Sequence, residues 1–213
     1  NLLPQWQMEF TVEPDDFFST TMKAAAVSND LPLSRLYYWS PSSALVGNYE
    51  KAMLLSAPLI TSDGVIIGVC GFEVSAMLFK LKNTPDNSTY TRIFSMLAPL
   101  AGNTLDASKA IYAGNYSAIP LQTSDTLSIK ALENGISSYL APDGSAFSGL
   151  HQKINLYPKN AAFSESEWAL AILIPEQDLT ATFRKQHWRI FGFLLILLIF
   201  SVGAAALISR RSV

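Results

Sequence analysis

The sequence is poor in the residues that most catalytic and metal sites need. It has one cysteine, Cys70, and two histidines, His151 and His187. A single cysteine excludes an internal disulfide and a metal site built from several cysteines. No phosphate-binding loop, HExxH or GxSxG motif occurs. We therefore predict no catalytic residue, no metal ligand and no cofactor. A Ser/His/Asp arrangement formed by residues distant in the sequence is an open alternative, although nothing in the sequence favours one.

Charge is also scarce. Lysine, arginine, aspartate and glutamate make up 15% of the residues, and the formal net charge is −2. A chain with no basic excess gives no reason to expect contact with nucleic acid. The lack of disulfides fits a bacterial or archaeal periplasmic or surface domain, and a cytosolic domain remains an alternative.

One stretch carries no charge at all. The 19 residues from Ile190 to Ile208 are uncharged. As a helix they would reach ~28 Å, the thickness of the bilayer's hydrocarbon core. This predicts a transmembrane helix, with Trp188 at one interface and Arg210-Arg211 beyond the other end. A buried core helix is the alternative. Because positive charges flank both ends, charge alone does not set the orientation.

The chain begins at Asn1 without an initiator methionine or a signal peptide. It ends shortly after the predicted membrane segment. We therefore expect it to be an excerpt of a longer protein.

The rest of the chain predicts an α+β fold with two antiparallel hairpin modules and helices on one face. Asp15 or Asp16 is expected to cap a first helix that runs to Val27. Each hairpin turns at an Asp-Gly pair, and a type I′ turn is expected at Asp63-Gly64. Residues 127–134 are predicted as a short helix. The predicted strands are 51–60, 65–74, 93–100, 108–114, 136–141, 146–156 and 168–174.

The strand at 65–74 is almost entirely apolar. Such a run is typical of a strand with both faces covered, one of them by a helix. Cys70 lies inside it, so we predict a buried and inert thiol.

A last helix is predicted from Glu176 without a break to Ile208. It would be ~50 Å long. A rigid rod that leads from the last strand through a membrane is a means of transmitting motion.

These residues resemble the double Cache family, the tandem PAS-like extracytoplasmic sensor domains of bacterial membrane signalling receptors. The stretch LLSAPLITSDGVIIGVCGFEVS (54–75) is similar to the hairpin of the membrane-distal module. WALAILIPEQDL (168–179), followed by a membrane helix, is similar to the exit of the membrane-proximal module. By this resemblance, the family's N-terminal membrane helix, stalk helix and first distal strands would be expected ahead of the given sequence.

The resemblance implies two PAS-like modules with antiparallel sheets, followed by a long helix that continues into one transmembrane helix. Residues 1–189 would be extracytoplasmic, and a single-pass anchor would lead to a missing cytoplasmic output domain. That output would be a histidine kinase, a diguanylate cyclase, a chemoreceptor signalling domain or a helix-turn-helix regulator. A homodimer is expected. The implied parts are a partial distal module at 1–82, a linker at 83–88, a proximal module at 89–175, a juxtamembrane helix at 176–189, a transmembrane helix at 190–208 and the start of a cytoplasmic region at 209–213.

The resemblance also implies a ligand site. In amino-acid-binding members, an Arg-x-aromatic-Tyr motif holds the ligand carboxylate, and Arg35-Leu36-Tyr37-Tyr38 matches it. Glu73 stands where those members usually have the aspartate that holds the ammonium. We predict a ligand site from five residues, for an amino acid or a small carboxylate. The five residues are Arg35, Tyr37, Tyr38, Trp39 and Glu73.

Other interpretations stay open. The three aromatic residues could be core residues, with Arg35 above them in a cation–π contact and Glu73 paired to Arg35 or Lys51. Tyr139, His151 and Tyr157 could line a second cavity. Two functions follow: a small-molecule sensor of a membrane receptor, or a membrane-anchored protein-interaction and assembly module without a small ligand.

Overall fold

The computed structural model shows helices and strands up to residue 175 and one long helix after it. The residues it describes are 16–41, 43–44, 51–114, 126–132 and 135–211, without the side chains of 43, 44, 51, 75, 185, 186, 189 and 204–211. The first 15 residues of the predicted distal module and positions 212–213 therefore lie outside the described residues. The chain divides into two units, Asn1–Pro175 and Glu176–Val213.

The described residues form three α-helices and eleven β-strands. The helices are α1 (Phe17–Val27), α2 (Ala76–Asn83) and α3 (Glu176–Arg211). The strands are β1 (Tyr38–Trp39), β2 (Ser43–Ala44), β3 (Lys51–Ile60), β4 (Ile66–Ser75), β5 (Phe94–Ala101), β6 (Thr104–Leu105), β7 (Ile111–Gly114), β8 (Leu127–Ala131), β9 (Ser137–Leu140), β10 (Ala146–Ile154) and β11 (Trp168–Pro175). This confirms a mixed helix and sheet fold with antiparallel sheets.

Helix α1 begins where the sequence predicts. The side chain of Asp16 accepts a hydrogen bond from the backbone N–H of Ser19 at 2.8 Å, which satisfies one of the unpaired donors of the first turn. Thr21 and Ala25, one turn apart, are buried. The Thr21 hydroxyl lies 2.8 Å from the Ser56 hydroxyl on β3, so α1 packs on the first sheet.

That first sheet is centred on β3. Strand β3 pairs with β4 on one side and with β1 and β2 on the other, all antiparallel. The two predicted Asp-Gly hairpins belong to different sheets, because β9 and β10 lie in the second one.

The predicted type I′ turn is wrong. At the β3–β4 turn only Gly64 has a positive φ, 80°, while Asp63 does not. Thr61 N–H donates to the Val65 carbonyl at 2.9 Å, which makes a three-residue loop that ends on a left-handed glycine. The β9–β10 turn is built in the same way around Gly144, with a φ of 85°. A type I′ turn needs positive φ at two positions. The single glycine at the third position of each loop fits a three-residue loop, which needs positive φ only there.

The prediction that β4 is covered on both faces is also wrong. Ile67 and Phe72 are 67% and 73% exposed, and Cys70 is exposed rather than buried. Among the described residues β4 pairs with β3 alone, which makes it an edge strand of that part of the sheet. An apolar run does not by itself distinguish an edge strand from a central one, because burial depends on what packs beside it.

The second sheet closes on itself. Its strand order is β11-β10-β9-β8-β6-β5-β7, and β11 also pairs with β5. Strands β5, β6, β8, β9, β10 and β11 thus form a closed circuit of antiparallel pairs, with β7 beside β5. Large side chains such as Phe94, Met96 and Tyr139 fill its core and are fully buried.

The predicted helix at 127–134 is wrong where the structure describes it. Residues Leu127–Ala131 form β8, which pairs with β6 and β9. Positions 133 and 134 lie outside the described residues. Leu127 is fully buried while its neighbour Ser128 is exposed. So short a segment fits the periodicity of a helix as well as that of a strand. Its pairing with two neighbouring strands makes it a strand.

The two sheets meet through a small apolar cluster within residues 1–175. Met53 of β3, Ala76 of α2, Ile111 of β7 and Trp168 of β11 are buried together. Trp39, Phe79, Leu97 and Leu156 pack against them. Both sheets lie in one compact unit. The predicted module boundary at residues 83–88 stays a prediction.

Helix α3 is one helix of 36 residues, ~54 Å long, and it follows β11 without an intervening residue. This confirms the predicted rod from Glu176 to Ile208. Among the described residues, no helix has a segment sufficiently long and apolar to span a membrane. The prediction that residues 190–208 cross a membrane is therefore not confirmed by the structure.

Gly149 provides a test of the β10–β11 pairing. A Cβ at this position would collide with the Ile172 carbonyl oxygen and lie 2.9 Å from Leu173 Cδ2. We expect Gly149→Ala to lower the free energy of unfolding by about 2 kcal/mol or more, because backbone must move to admit the methyl group. Urea unfolding of the purified chain measures this.

The matched control is Gly68→Ala on β4, where the added Cβ would meet only Leu59 Cδ1 at 3.9 Å. It is expected to be neutral or to stabilise by up to ~1 kcal/mol. Equal effects of the two variants would contradict the close approach at Gly149.

Candidate functional site

Four of the five predicted site residues lie on one short segment of the first sheet. A 3-10 turn, Leu33–Arg35, follows Pro32, and the chain then enters β1. Tyr38 and Trp39 pair with Ser56 and Leu55 of β3. Leu36 is fully buried and anchors the segment. We call residues 35–39 the aromatic segment.

The aromatic segment is held by the β10–β11 loop, residues 155–167. Three hydrogen bonds of ordinary length join them, and each involves a backbone group. Tyr37 Oη donates to the Leu156 carbonyl at 2.8 Å, Trp39 N–H donates to Tyr157 Oη at 2.9 Å, and Ala162 N–H donates to the Arg35 carbonyl at 3.0 Å. The loop leads into β11, so the segment contacts the chain just before the last strand.

Aromatic rings fill the space between the segment and the loop. Tyr37 stacks on Tyr157 with ring centroids 5.5 Å apart. Phe163 lies 4.7 Å from the Tyr38 ring and 5.8 Å from the Tyr157 ring. Burial raises the pKa of Tyr157 well above its usual range, against a smaller lowering by the Trp39 N–H. Tyr157 is therefore a neutral, fixed hydroxyl at physiological pH.

Arg35 lies at the edge of these rings and is half-buried. Its Nη1 donates to the carbonyl oxygen of Lys159 in the β10–β11 loop. Within the described residues the guanidinium has no acidic partner and no cation–π contact. Because a guanidinium has five N–H donors, most of its donors are not used by those residues. The cation–π interpretation of Arg35 is therefore wrong for the described residues.

Glu73 lies apart from this segment. It is exposed on β4, opposite Leu54 of β3. Tyr38, Ser56 and Gly71 are aligned across the three strands, and Glu73, two positions from Gly71, shares their face. Two strand spacings, ~10 Å, separate β1 from β4. Arg35 makes no ion pair with Glu73. The structure thus gathers the four predicted residues of the aromatic segment and places the fifth two strands away.

The β10–β11 loop was not predicted from the sequence as a partner of the aromatic segment. Tyr157 and Phe163 contribute two of the clustered rings, and both lie more than a hundred positions from Tyr37. The available signal was a loop that carries two aromatic residues, since solvated loops rarely need them.

The three residues that could line a second cavity, Tyr139, His151 and Tyr157, do not lie together. Tyr157 lies in the aromatic cluster, while Tyr139 and His151 contact each other. Tyr139 Oη and His151 Nδ1 are 2.7 Å apart, with Tyr139 fully buried and His151 half-buried. Burial raises the pKa of Tyr139 to about 12, and the hydroxyl of Ser137 lowers it slightly. Tyr139 is part of the core of the second sheet.

Within the described ranges, no three histidine, cysteine, aspartate or glutamate side chains are grouped so that they could hold a metal ion. The chemistry of the aromatic segment is therefore that of a cation beside aromatic rings and hydroxyl groups.

No protein-family model matches the chain, and no curated protein matches its sequence. Nine chains of solved structures are similar to it, and they include three ligand-binding domains. The ligand-binding domain of the Pseudomonas fluorescens chemoreceptor CtaA, in complex with L-serine, is 10% identical over 66% of this chain and 56% of that chain, with a TM-score of 0.39. The ligand-binding domain of the Pseudomonas aeruginosa PAO1 amino acid chemoreceptor PctB, in complex with L-Arg, is 11% identical over 80% of this chain and 66% of that chain, with a TM-score of 0.44. The ligand-binding domain of PctC, from the same organism and in complex with GABA, is 12% identical over 78% of this chain and 67% of that chain, with a TM-score of 0.43.

The chain spans about half to two thirds of the length of the similar structures, from 50% to 67%. With TM-scores of 0.37–0.44, these similarities do not define the function or the ligand of this chain.

The Tyr139–His151 pair gives a pH-dependent prediction. Since the folded pKa of Tyr139 is raised to about 12, the unfolded chain loses this proton first as the pH rises. The stability that Tyr139 contributes is therefore present below pH ~10 and lost between pH ~10 and ~12. We expect Tyr139→Phe to cost ~1 kcal/mol near neutrality, for the lost hydrogen bond, and less at pH ~11.

Urea unfolding of both proteins at the two pH values measures the difference. Tyr90→Phe serves as the control, because the Tyr90 hydroxyl makes no hydrogen bond within the described residues. A cost of Tyr139→Phe that stays constant or grows at high pH would contradict the assignment.

Proposed function

We propose that this chain is the extracytoplasmic sensor region of a membrane signalling receptor and that it binds a small ligand with a carboxylate at the aromatic segment. The observation that carries the proposal is the half-buried Arg35, which has no acidic partner among the described residues. Arg35 would bind the carboxylate, and Tyr37, Tyr38 and Trp39 would line the site.

A partly desolvated cation is costly without a compensating anion. The contact with the Lys159 carbonyl offsets only part of that cost, because a neutral acceptor binds a guanidinium less strongly than a carboxylate does. A carboxylate can also bind the planar guanidinium with both oxygens at once. The aromatic rings beside Arg35 are the apolar lining typical of small-molecule sites.

Glu73 is proposed as the acceptor for a ligand ammonium group. Its position on the same face of the first sheet as Tyr38 supports this role. With Arg35 and Glu73 as opposite charges, the ligand class would be amino acids. If Glu73 does not take part, small carboxylates without an amine are the ligand class.

The relay belongs to the proposal as well. We propose that α3 passes the ligand signal through a membrane at residues 190–208, in a homodimer, to an output domain beyond Val213. The uncharged run in the sequence and the direct junction of β11 with α3 support it. The ligand would shift the balance between two states only by its difference in affinity for them.

A second candidate function is a membrane-anchored module that binds another protein. The exposed apolar residues of β4 and α2 favour it. Phe72, Met77 and Leu81 are 73%, 57% and 71% exposed. Apolar residues clustered on a surface often mark contacts with a partner.

The ligand proposal is tested by a thermal-shift and calorimetric screen of the full chain in detergent against amino acids and small carboxylates. A ligand at 100 times its Kd is expected to add about 2.7 kcal/mol to the stability. Arg35→Ala should abolish this stabilisation, because the carboxylate loses its cation.

Lys153→Ala is the matched control. It removes an exposed cation that pairs with Glu167 at 2.9 Å, at the far end of the β10–β11 loop, and it should leave ligand binding intact. No stabilisation by any compound would favour the protein-binding module. Stabilisation that survives Arg35→Ala would contradict the assignment of the ligand site to Arg35.

The membrane part is tested by expressing the full chain and a chain that ends at residue 185. After an alkaline carbonate wash, the full chain should stay with the membranes and the shorter chain should be released. Release of both would contradict the membrane crossing.

A further inference from the structure

The four hydrogen bonds between the aromatic segment and the β10–β11 loop differ in kind. Three of them pair neutral groups with neutral groups. The fourth joins the Arg35 guanidinium to the Lys159 carbonyl. It is therefore the one contact among the four for which an anion would compete directly.

Competition at Arg35 favours the anion. A hydrogen bond between two ionised groups is stronger than one between an ionised group and a neutral carbonyl. The Lys159 carbonyl can be released at low cost, because Lys159 is exposed and water can replace its partner. Asn160, the next residue, has a φ of 66°, so the loop reverses direction at this point. A change at Lys159 therefore acts at the tip of the loop.

The released loop is close to β11. Trp168, the first residue of β11, is buried in the cluster against which Trp39 and Leu156 pack. Leu156 also accepts the hydrogen bond from Tyr37. Strand β11 pairs with both β10 and β5 and is followed directly by α3. Movement of the loop would thus reach the strand that precedes the long helix.

We propose that the Arg35–Lys159 contact is a latch that an incoming carboxylate opens, which frees the turn at Lys159 from the aromatic segment and loosens the part of the β10–β11 loop that the three neutral hydrogen bonds do not hold. The inference rests on the proposed ligand site at Arg35 and adds the response of the protein to occupancy. In the closed state the loop substitutes for the ligand. In the open state the carboxylate takes its place.

Hydrogen–deuterium exchange of the full chain tests the latch, read by mass spectrometry on peptides that cover residues 155–167. Sodium acetate is the probe, against sodium chloride at equal ionic strength. Acetate is expected to accelerate exchange in these peptides about threefold, as expected for the loss of one solvent-exposed hydrogen bond. Arg35→Ala without any acetate should produce a similar acceleration, and acetate should add nothing to it.

Lys153→Ala is the control, because it removes a different cation that contacts the loop through Glu167. It should respond to acetate as the wild type does. A thermal shift with acetate on the same samples reports binding independently. Binding of acetate with unchanged or slower exchange overturns the latch and leaves the proposed ligand site in place. If acetate produces no thermal shift and no change in exchange, both the latch and the proposed ligand site are overturned. Because the decisive comparison uses wild-type protein, the test does not depend on the folding of a variant.

Discussion

The stacking of Tyr37 on Tyr157 is the interaction on which the geometry around Arg35 depends. It brings a segment at the start of the first sheet against a loop that precedes the last strand of the second. The hydrogen bonds of Tyr37 and Trp39 lock the two rings in register, because both use backbone partners that cannot rotate away. Without this contact, Arg35 would be an exposed cation on a surface turn.

The closed second sheet gives that contact a rigid support. Strand β11 is paired along both edges, with β10 and with β5, so its position is determined by two independent registers. The core inside the circuit is made of large, fully buried residues such as Phe94 and Tyr139. A loop that ends on such a strand is fixed at its base.

Much of the fold was predictable because it depends on neighbours a few positions away. The cap at Asp16, the turns at Gly64 and Gly144 and the long helix from Glu176 follow from local preferences. The same reasoning failed for residues 127–131 and for β4, where the pattern of apolar residues fits more than one environment. For the site, it found the aromatic segment and missed the loop that covers it.

The sequence by itself determined most of the local elements, the scarcity of cysteine and histidine, the uncharged run at 190–208 and the Arg35-to-Trp39 motif. Only the tertiary structure decided that β4 is exposed, that β11 closes the second sheet onto β5, and that Arg35 contacts Lys159. The physical reason is distance along the chain. Tyr37 and Leu156 are 119 positions apart, and a hydrogen bond between them depends on how both sheets pack, which no local preference encodes.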